Sequence, residues 1–316
     1  MLIALNPFAI ENTTNPFMPK SKRKPKIAGG SSGSDEVILI GEEDLLGQLS
    51  DKQGSSLYLG KYTVDEIRRA LEKSGIFPEL RKKGFSDFII EIVPLEDFQQ
   101  ALKVYHQAAT PENLLSEARL RETYFCQDPD VDERLAKKRF KMLCIDWLMM
   151  QNPYQDFTPD RPPLPGQAHP GLGVAKKVLK LLKALCRLHG LAGILNFPEY
   201  FHNAYFYRSY FRFYNPAKEA NLYALARDLS RLTVAEMSWA IELGCVIDLS
   251  TNSPFEWTSD VQILPLDPEI RAFFESNAYQ QAFHQCLSEQ KFLLDDARFF
   301  ERKKASLKLL KGEEHE

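Results

Sequence analysis

The chain has 316 residues, of which 44% are hydrophobic and 26% charged, with a formal net charge of −3. That length and composition fit one large or two modest globular domains, and the charge gives no basis for strong attraction to nucleic acid or an anionic membrane. No stretch approaches the ~20 apolar residues of a membrane span, and the basic cluster at 20–26 follows the mildly apolar start instead of preceding it as in a secretory signal, so a soluble, cytoplasmic protein is expected.

In chain order, residues 1–54 read as a flexible tail. Lys20-Ser-Lys-Arg-Lys-Pro-Lys26 is a dense positive run, and Ala28-Gly-Gly-Ser-Ser-Gly-Ser-Asp35 has linker composition. The basic run fits a solvated tail better than a nucleic-acid arm. Asn-Pro-Phe occurs at 6–8 and again at 15–17, either as a docking peptide for a protein partner or as turn chemistry.

Order is expected from residue 56. Residues 57–62 read as a strand, and Thr63-Val-Asp-Glu66 is a capping box that opens a helix to about Ser74. Residues 85–93 and 113–125 read as strands. In the second, Leu114, Ala118 and Leu120 share one face while Glu117, Arg119 and Arg121 share the other. Residues 142–150 are nearly continuously apolar around Asp146 and read as a buried strand, with a helix over 131–150 as the rival. Prolines at 153, 159, 162, 163, 165 and 170 exclude helix and central strand from the loop 152–170.

Gly171 and Gly173 then lead into the clearest amphipathic helix. Val174, Val178, Leu181, Leu182 and Leu185 form its apolar stripe, and Lys176, Lys180, Lys183 and Arg187 the basic one. Gly190 is its stop. A strand at 191–197, broken by Pro198, and a helix at 204–210 follow. Beyond Pro216 the pattern is helical: 217–229, 233–243 with a capping box and a Gly244 stop, 267–279, and a highly charged 291–310. The expected organisation is the tail (1–54), an α/β domain (55–215) and a helical extension packed on it (216–316).

Cysteines at 126, 144, 186, 245 and 286 are odd in number, lack metal-ligand spacing and fall largely in apolar runs, so reduced thiols are expected and no metal is implied. There is no Gly-x-Ser-x-Gly elbow, Walker A loop or dinucleotide fingerprint. A strand, a glycine turn, a helix and a second strand do suit an anion, because backbone N–H groups and the helix dipole point at the turn. Taken alone, Gly-Leu-Gly also fits a plain tight turn. His169 and His202 flank this region, and the aromatic cluster from Tyr200 to Tyr214 reads mainly as core, with a substrate-lining wall as the alternative.

Three segments here carry a resemblance. Gly171-Leu-Gly173-Val-Ala-Lys-Lys-Val-Leu, Leu191-Ala-Gly-Ile-Leu-Asn196, and Asn203-Ala204 with Tyr207 and Phe211-Arg-Phe213 resemble, in order and spacing, the cofactor-binding half of the GNAT superfamily of acyl-CoA-dependent N-acetyltransferases. The resemblance covers 141–213. It implies a mixed α/β (α+β) fold with a splayed central sheet and flanking helices. Acetyl-CoA or another acyl-CoA would enter the split as co-substrate. Its pyrophosphate would meet the backbone at Gly171, Leu172, Gly173 and Val174, and pantetheine would lie along the strand end at Leu148 and Met150, with Asn203 nearby. Tyr207 matches the position of the acid that protonates the leaving thiolate, and Asp146 or Glu117 would be the base. The acceptor, a small-molecule or protein amine, is not legible.

The chain departs from the family pattern at Ala168, where Arg or Gln is usual, at Pro170, which removes an N–H from the turn, and at Arg212, where glycine is usual. The proline-rich loop is also long, and either caps the site or fills it. A non-catalytic protein that keeps the scaffold and binds a partner is the second reading.

Overall fold

The computed structural model describes residues 2–4, 57–96, 99–126 and 138–310; the Asn-Pro-Phe repeats, the basic run and the Gly/Ser stretch lie outside the described residues. The strands before the glycine turn are β1 (Leu2–Ala4), β2 (Phe88–Pro94), β3 (Gln100–His106), β4 (Leu114–Cys126) and β5 (Arg139–Met150). β2 to β5 form an antiparallel meander, and alternation along β4 buries Leu115 and Glu117 while half exposing their neighbours. β5 is buried almost throughout, which matches its apolar run and excludes the rival helix. It then connects to α3 (Ala175–Leu188), β6 (Gly193–Asn196), α4 (Phe201–Tyr207) and β7 (Arg212–Phe213).

β5 and β6 are parallel, the two strands joined by α3. The sheet does not end at β7. A distant strand, β10 (Gln262–Pro265), inserts between β6 and β7 and pairs antiparallel with both. Among the described residues the result is an open eight-stranded mixed sheet, ordered β2-β3-β4-β5-β6-β10-β7, with β1 paired to β5.

Helices cover both faces. α1 (Val64–Lys73) begins with the expected capping box, in which the Thr63 hydroxyl accepts from Glu66 N–H at 3.3 Å and the Glu66 carboxylate accepts from Thr63 N–H at 2.9 Å. With α2 (Ile76–Lys82) and α3 it packs on one face around Phe77, Leu80, Leu143, Ile145, Leu179 and Leu182. The other face carries Phe140, Met142, Cys144, Leu195 and Ile263 against α7 (Pro268–Glu275) and α8 (Asn277–Glu289). A further core joins α5 (Pro216–Asp228) and α6 (Val234–Glu242) to a small sheet of β8 (Val246–Asp248), β9 (Ser253–Pro254) and β11 (Phe292–Leu294).

Several expectations change. Residues 57–62 form a tight turn closed by a Tyr58–Tyr62 bridge, because Leu59 and Gly60 both take positive φ. The helix expected at 204–210 begins at Phe201 and ends at Tyr207. The helix expected at 267–279 breaks at Ser276, whose extended backbone and hydroxyl start α8 by accepting from Tyr279 N–H at 3.2 Å. The segment beyond 216 contributes strands as well as helices, and 291–310 divides into β11 and α9 (Asp296–Leu310). That last helix does not stand away from the body: Phe299 is buried, and Lys303 bonds Glu236 at 3.0 Å.

β6 lies so close to β10 that an alanine Cβ at Gly193 would collide with the Leu264 carbonyl and stand 2.9 Å from Met142 Cε. Gly193→Ala is therefore expected to lower unfolding free energy by about 1–3 kcal/mol in a urea titration; an unchanged midpoint would show that β10 shifts freely.

Candidate functional site

The parallel pairing of β5 and β6 is short. Only Leu143–Ile194 and Cys144–Leu195 are in register; past that point the two strands part. A bulge in the β4–β5 ladder coincides with the parting: Leu120 faces Ile145 and Arg119 faces Trp147, which leaves Asp146 as the extra residue. Along the edge that β5 frees on the far side of the parting, β1 pairs Leu2 with Met149, Ile3 with Leu148 and Ala4 with Trp147.

The proline-rich loop turns out to be an excursion. Gln151 bridges to Gly171, and Asn152 N–H donates to the Pro170 carbonyl at 2.7 Å, so residues 152–170 leave the end of β5 and return to it. The glycine turn thus sits where a short connection would have put it. The loop is pinned by Trp239 Nε1, which donates to the Pro163 carbonyl at 2.8 Å, and by Gly166, whose missing Cβ lets the Tyr200 ring lie against it.

Beside the turn is a cavity of about 330 Å³, walled by Phe157, Arg161 and Leu164 of the loop, by Gly171–Gly173, and by Phe206 and Ala235. The loop caps this space and does not fill it. Leu172 and Val174 bury their side chains in the core, so what they offer a ligand is backbone. Gly173 has φ +74°, and the first N–H groups of α3 lack intrahelical partners. Two cations attend the turn: Lys83 Nζ donates to the Leu172 carbonyl at 2.8 Å, and Arg161 Nη2 to that of Gly171 at 3.4 Å. Both were missed in the sequence, since neither lies in a motif.

Deeper in the split, a void of about 10 Å³ is lined by Ile145, Leu148, Asn196, Tyr207 and Phe211. Met150 lines the larger cavity. Tyr207 is buried, and burial pushes its phenol above the usual range, so it stays protonated. Asn203 is fully buried in the first turn of α4.

No known protein family, curated protein or solved structure matches the chain.

The two carboxylates expected as bases are not brought to Tyr207. Asp146 receives Arg121 Nε at 2.8 Å and Cys144 Sγ at 3.3 Å, on the sheet face opposite the Tyr207 cluster. Glu117, 7% exposed, receives Arg119 Nε at 2.7 Å and has Lys103 at 3.7 Å. Both are tied up as ion pairs. His202, which flanks the region in sequence, is fully buried with its Nδ1 2.8 Å from Ser238 Oγ. Arg212 stacks on the Phe274 and Tyr279 rings beside buried Glu219, a packing role that needs the long side chain where the family pattern has glycine. The aromatic cluster divides: Phe201, Tyr207, Phe211 and Phe213 are core, while exposed Phe206 walls the cavity.

Among the described residues no group of His, Cys, Asp and Glu is placed to hold a metal ion, and no helix is long and apolar enough to cross a membrane. All five cysteines are free thiols.

Proposed function

We propose that the chain is an acyl-CoA-dependent N-acyltransferase on a GNAT-like scaffold. The observation that carries the reading is a capped cavity on the Gly171–Gly173 turn that shares Ala175 with the small void where β5 and β6 part. Each part answers a need of such a ligand. The turn and first turn of α3 present backbone N–H groups, and Lys83 and Arg161 supply positive charge for a pyrophosphate. The edge at 147–149, which β1 pairs with, suits an extended arm carrying amides in place of that strand.

In the transfer, the amine nitrogen bonds to the thioester carbon and the carbon–sulfur bond breaks. Tyr207, protonated through burial, gives its proton to the departing sulfur and recovers one from the nitrogen, so the phenol is regenerated. Asp146 and Glu117 are ion-paired to Arg121 and Arg119 and take no proton in this scheme.

Acetyl-CoA at a hundredfold excess over Kd should add about 2.7 kcal/mol and raise the melting temperature by several degrees. An unchanged melting temperature at millimolar acetyl-CoA and CoA would sink the reading. It would favour the second one, a non-catalytic scaffold, which the ion-paired state of both candidate bases supports.

A further inference from the structure

Four polar side chains are fully buried: Asn196 and Gln262, paired across β6 and β10, and His202 and Asn203 in the first turn of α4. Both polar atoms of each carboxamide, and Nε2 of His202, have no hydrogen-bond partner among the described residues. Asn196 and Gln262 are direct Cα partners across β6 and β10, so their side chains share a face, the one that carries Ile194 and Leu264. Asn196 follows Leu195, the last residue of β6 in register with β5, so it is the first residue past the parting. It lines the small void with Tyr207, Ile145 and Leu148.

Leaving a buried carboxamide unpaired costs roughly 1–3 kcal/mol, and leucine or methionine would pack there without that cost. A purely structural explanation is therefore weak for Asn196 and Gln262 together. The small void that Asn196 lines has no Lys, Arg, Asp or Glu in its wall. The unpaired carboxamides of Asn196 and Gln262 suit a neutral polar group, to which each can donate an N–H, in contrast to the cationic end at Lys83 and Arg161.

Resting on the acyltransferase reading, we propose that Asn196, seconded by Gln262, donates its side-chain N–H to the carbonyl oxygen of the bound thioester. A ligand held by its phosphates at the glycine turn extends along β5 toward the parting, and its reacting end arrives at Asn196 last. When the amine nitrogen bonds to the thioester carbon, the carbonyl π pair moves to oxygen. A fixed neutral donor in a dry site stabilises that charge without having to reorganise. The carbonyl re-forms as the carbon–sulfur bond breaks and sulfur takes the Tyr207 proton. Asn196 and Tyr207 thus serve the two atoms, oxygen and sulfur, on which charge develops.

The test is calorimetric binding of CoA and acetyl-CoA, which differ only in the acetyl thioester, to the full chain and to its Asn196→Leu and Gln262→Met variants. Competition from β1 affects both ligands equally, so the ratio of affinities is the readout. The full chain should prefer acetyl-CoA, and Asn196→Leu should weaken acetyl-CoA by about tenfold, the loss of one neutral hydrogen bond in a dry site, while leaving CoA unchanged. The carbonyl stretch of isotopically labelled acetyl-CoA should move to lower frequency on the full chain and return in that variant. Melting temperatures of the variants should equal or exceed that of the parent, since an unpaired amide is removed. Should Asn196→Leu melt far below it, Gln262→Met, with a smaller expected loss, decides. Equal weakening of both ligands would assign the carboxamides to the amides of the arm, and no weakening would leave them to a buried water; either overturns the proposal. If the full chain binds neither ligand, it is the acyltransferase reading that fails.

Discussion

Deleting residues 2–4 will tighten acetyl-CoA binding by roughly 10–100-fold, because β1 takes the same backbone groups of Trp147, Leu148 and Met149 that an extended ligand arm needs. A strand this short contributes on the order of two or three net hydrogen bonds, each about 0.5–1.5 kcal/mol. Ligand entry must overcome that pairing, and the apparent Kd rises by the inverse of the fraction of molecules with β1 released. At 147–149 one edge of β5 is paired to β4 and the other to β1, so an arm that pairs there and the strand exclude each other. Titration calorimetry on the full and shortened chains measures the ratio directly. Equal affinities would mean that the arm lies elsewhere. A peptide matching the first six residues, added to the shortened chain, should reverse the gain.

The second large effect is on stability and comes from His202. Its imidazole is 0% exposed, and burial lowers its pKa from 6.5 to about 3. The folded chain therefore keeps it neutral where the unfolded chain protonates it. The sign follows: the stabilisation is fully present above pH 6.5 and is lost as the pH falls through the interval toward 3. Each pH unit in that interval costs about 1.4 kcal/mol, so roughly 2–3 kcal/mol disappears between pH 7 and 4.5. Carboxylates such as Glu236 and Asp228, whose pKa values are lowered by hydrogen bonds and ion pairs, add to the loss only at the acid end. The difference between parent and His202→Gln in urea titrations at successive pH values isolates the imidazole. If that difference stays flat from pH 7 to 5, His202 is solvated or protonated in the native state.

Much of the local structure is legible in the sequence because its causes are local. Thr63–Glu66 and Thr233–Glu236 start helices with side chains three residues apart, and both boxes form as read. Prolines kept 152–170 out of helix and sheet, and Gly190 and Gly244 end their helices with positive φ. The glycine turn was found from its own composition. What stayed hidden depends on chain segments far apart. Residues 262–265 carry one polar residue in an apolar run, which could have marked a strand, but nothing local says that it inserts between β6 and β7. Lys83 reaches Leu172 only because α2 packs beside α3, and no pattern in either segment encodes that. Asn196, the polar end of an otherwise apolar strand, is a visible signal, but it reads only as the last residue of the segment that fits that strand. Asp146 looked like a free carboxylate because its partner, Arg121, lies on another strand.

The insertion of β10 also governs the order in which the protein can be made. As the ribosome delivers the chain, β6 and β7 emerge early with open edges, and the strand that closes both arrives dozens of residues later. Until then the nascent sheet exposes unpaired N–H and C=O groups to any neighbouring chain, and the long loop must close before the pairing is gained. The pairing of Asn196 with Gln262 accordingly waits for β10, so a chain interrupted before it emerges with both edges open.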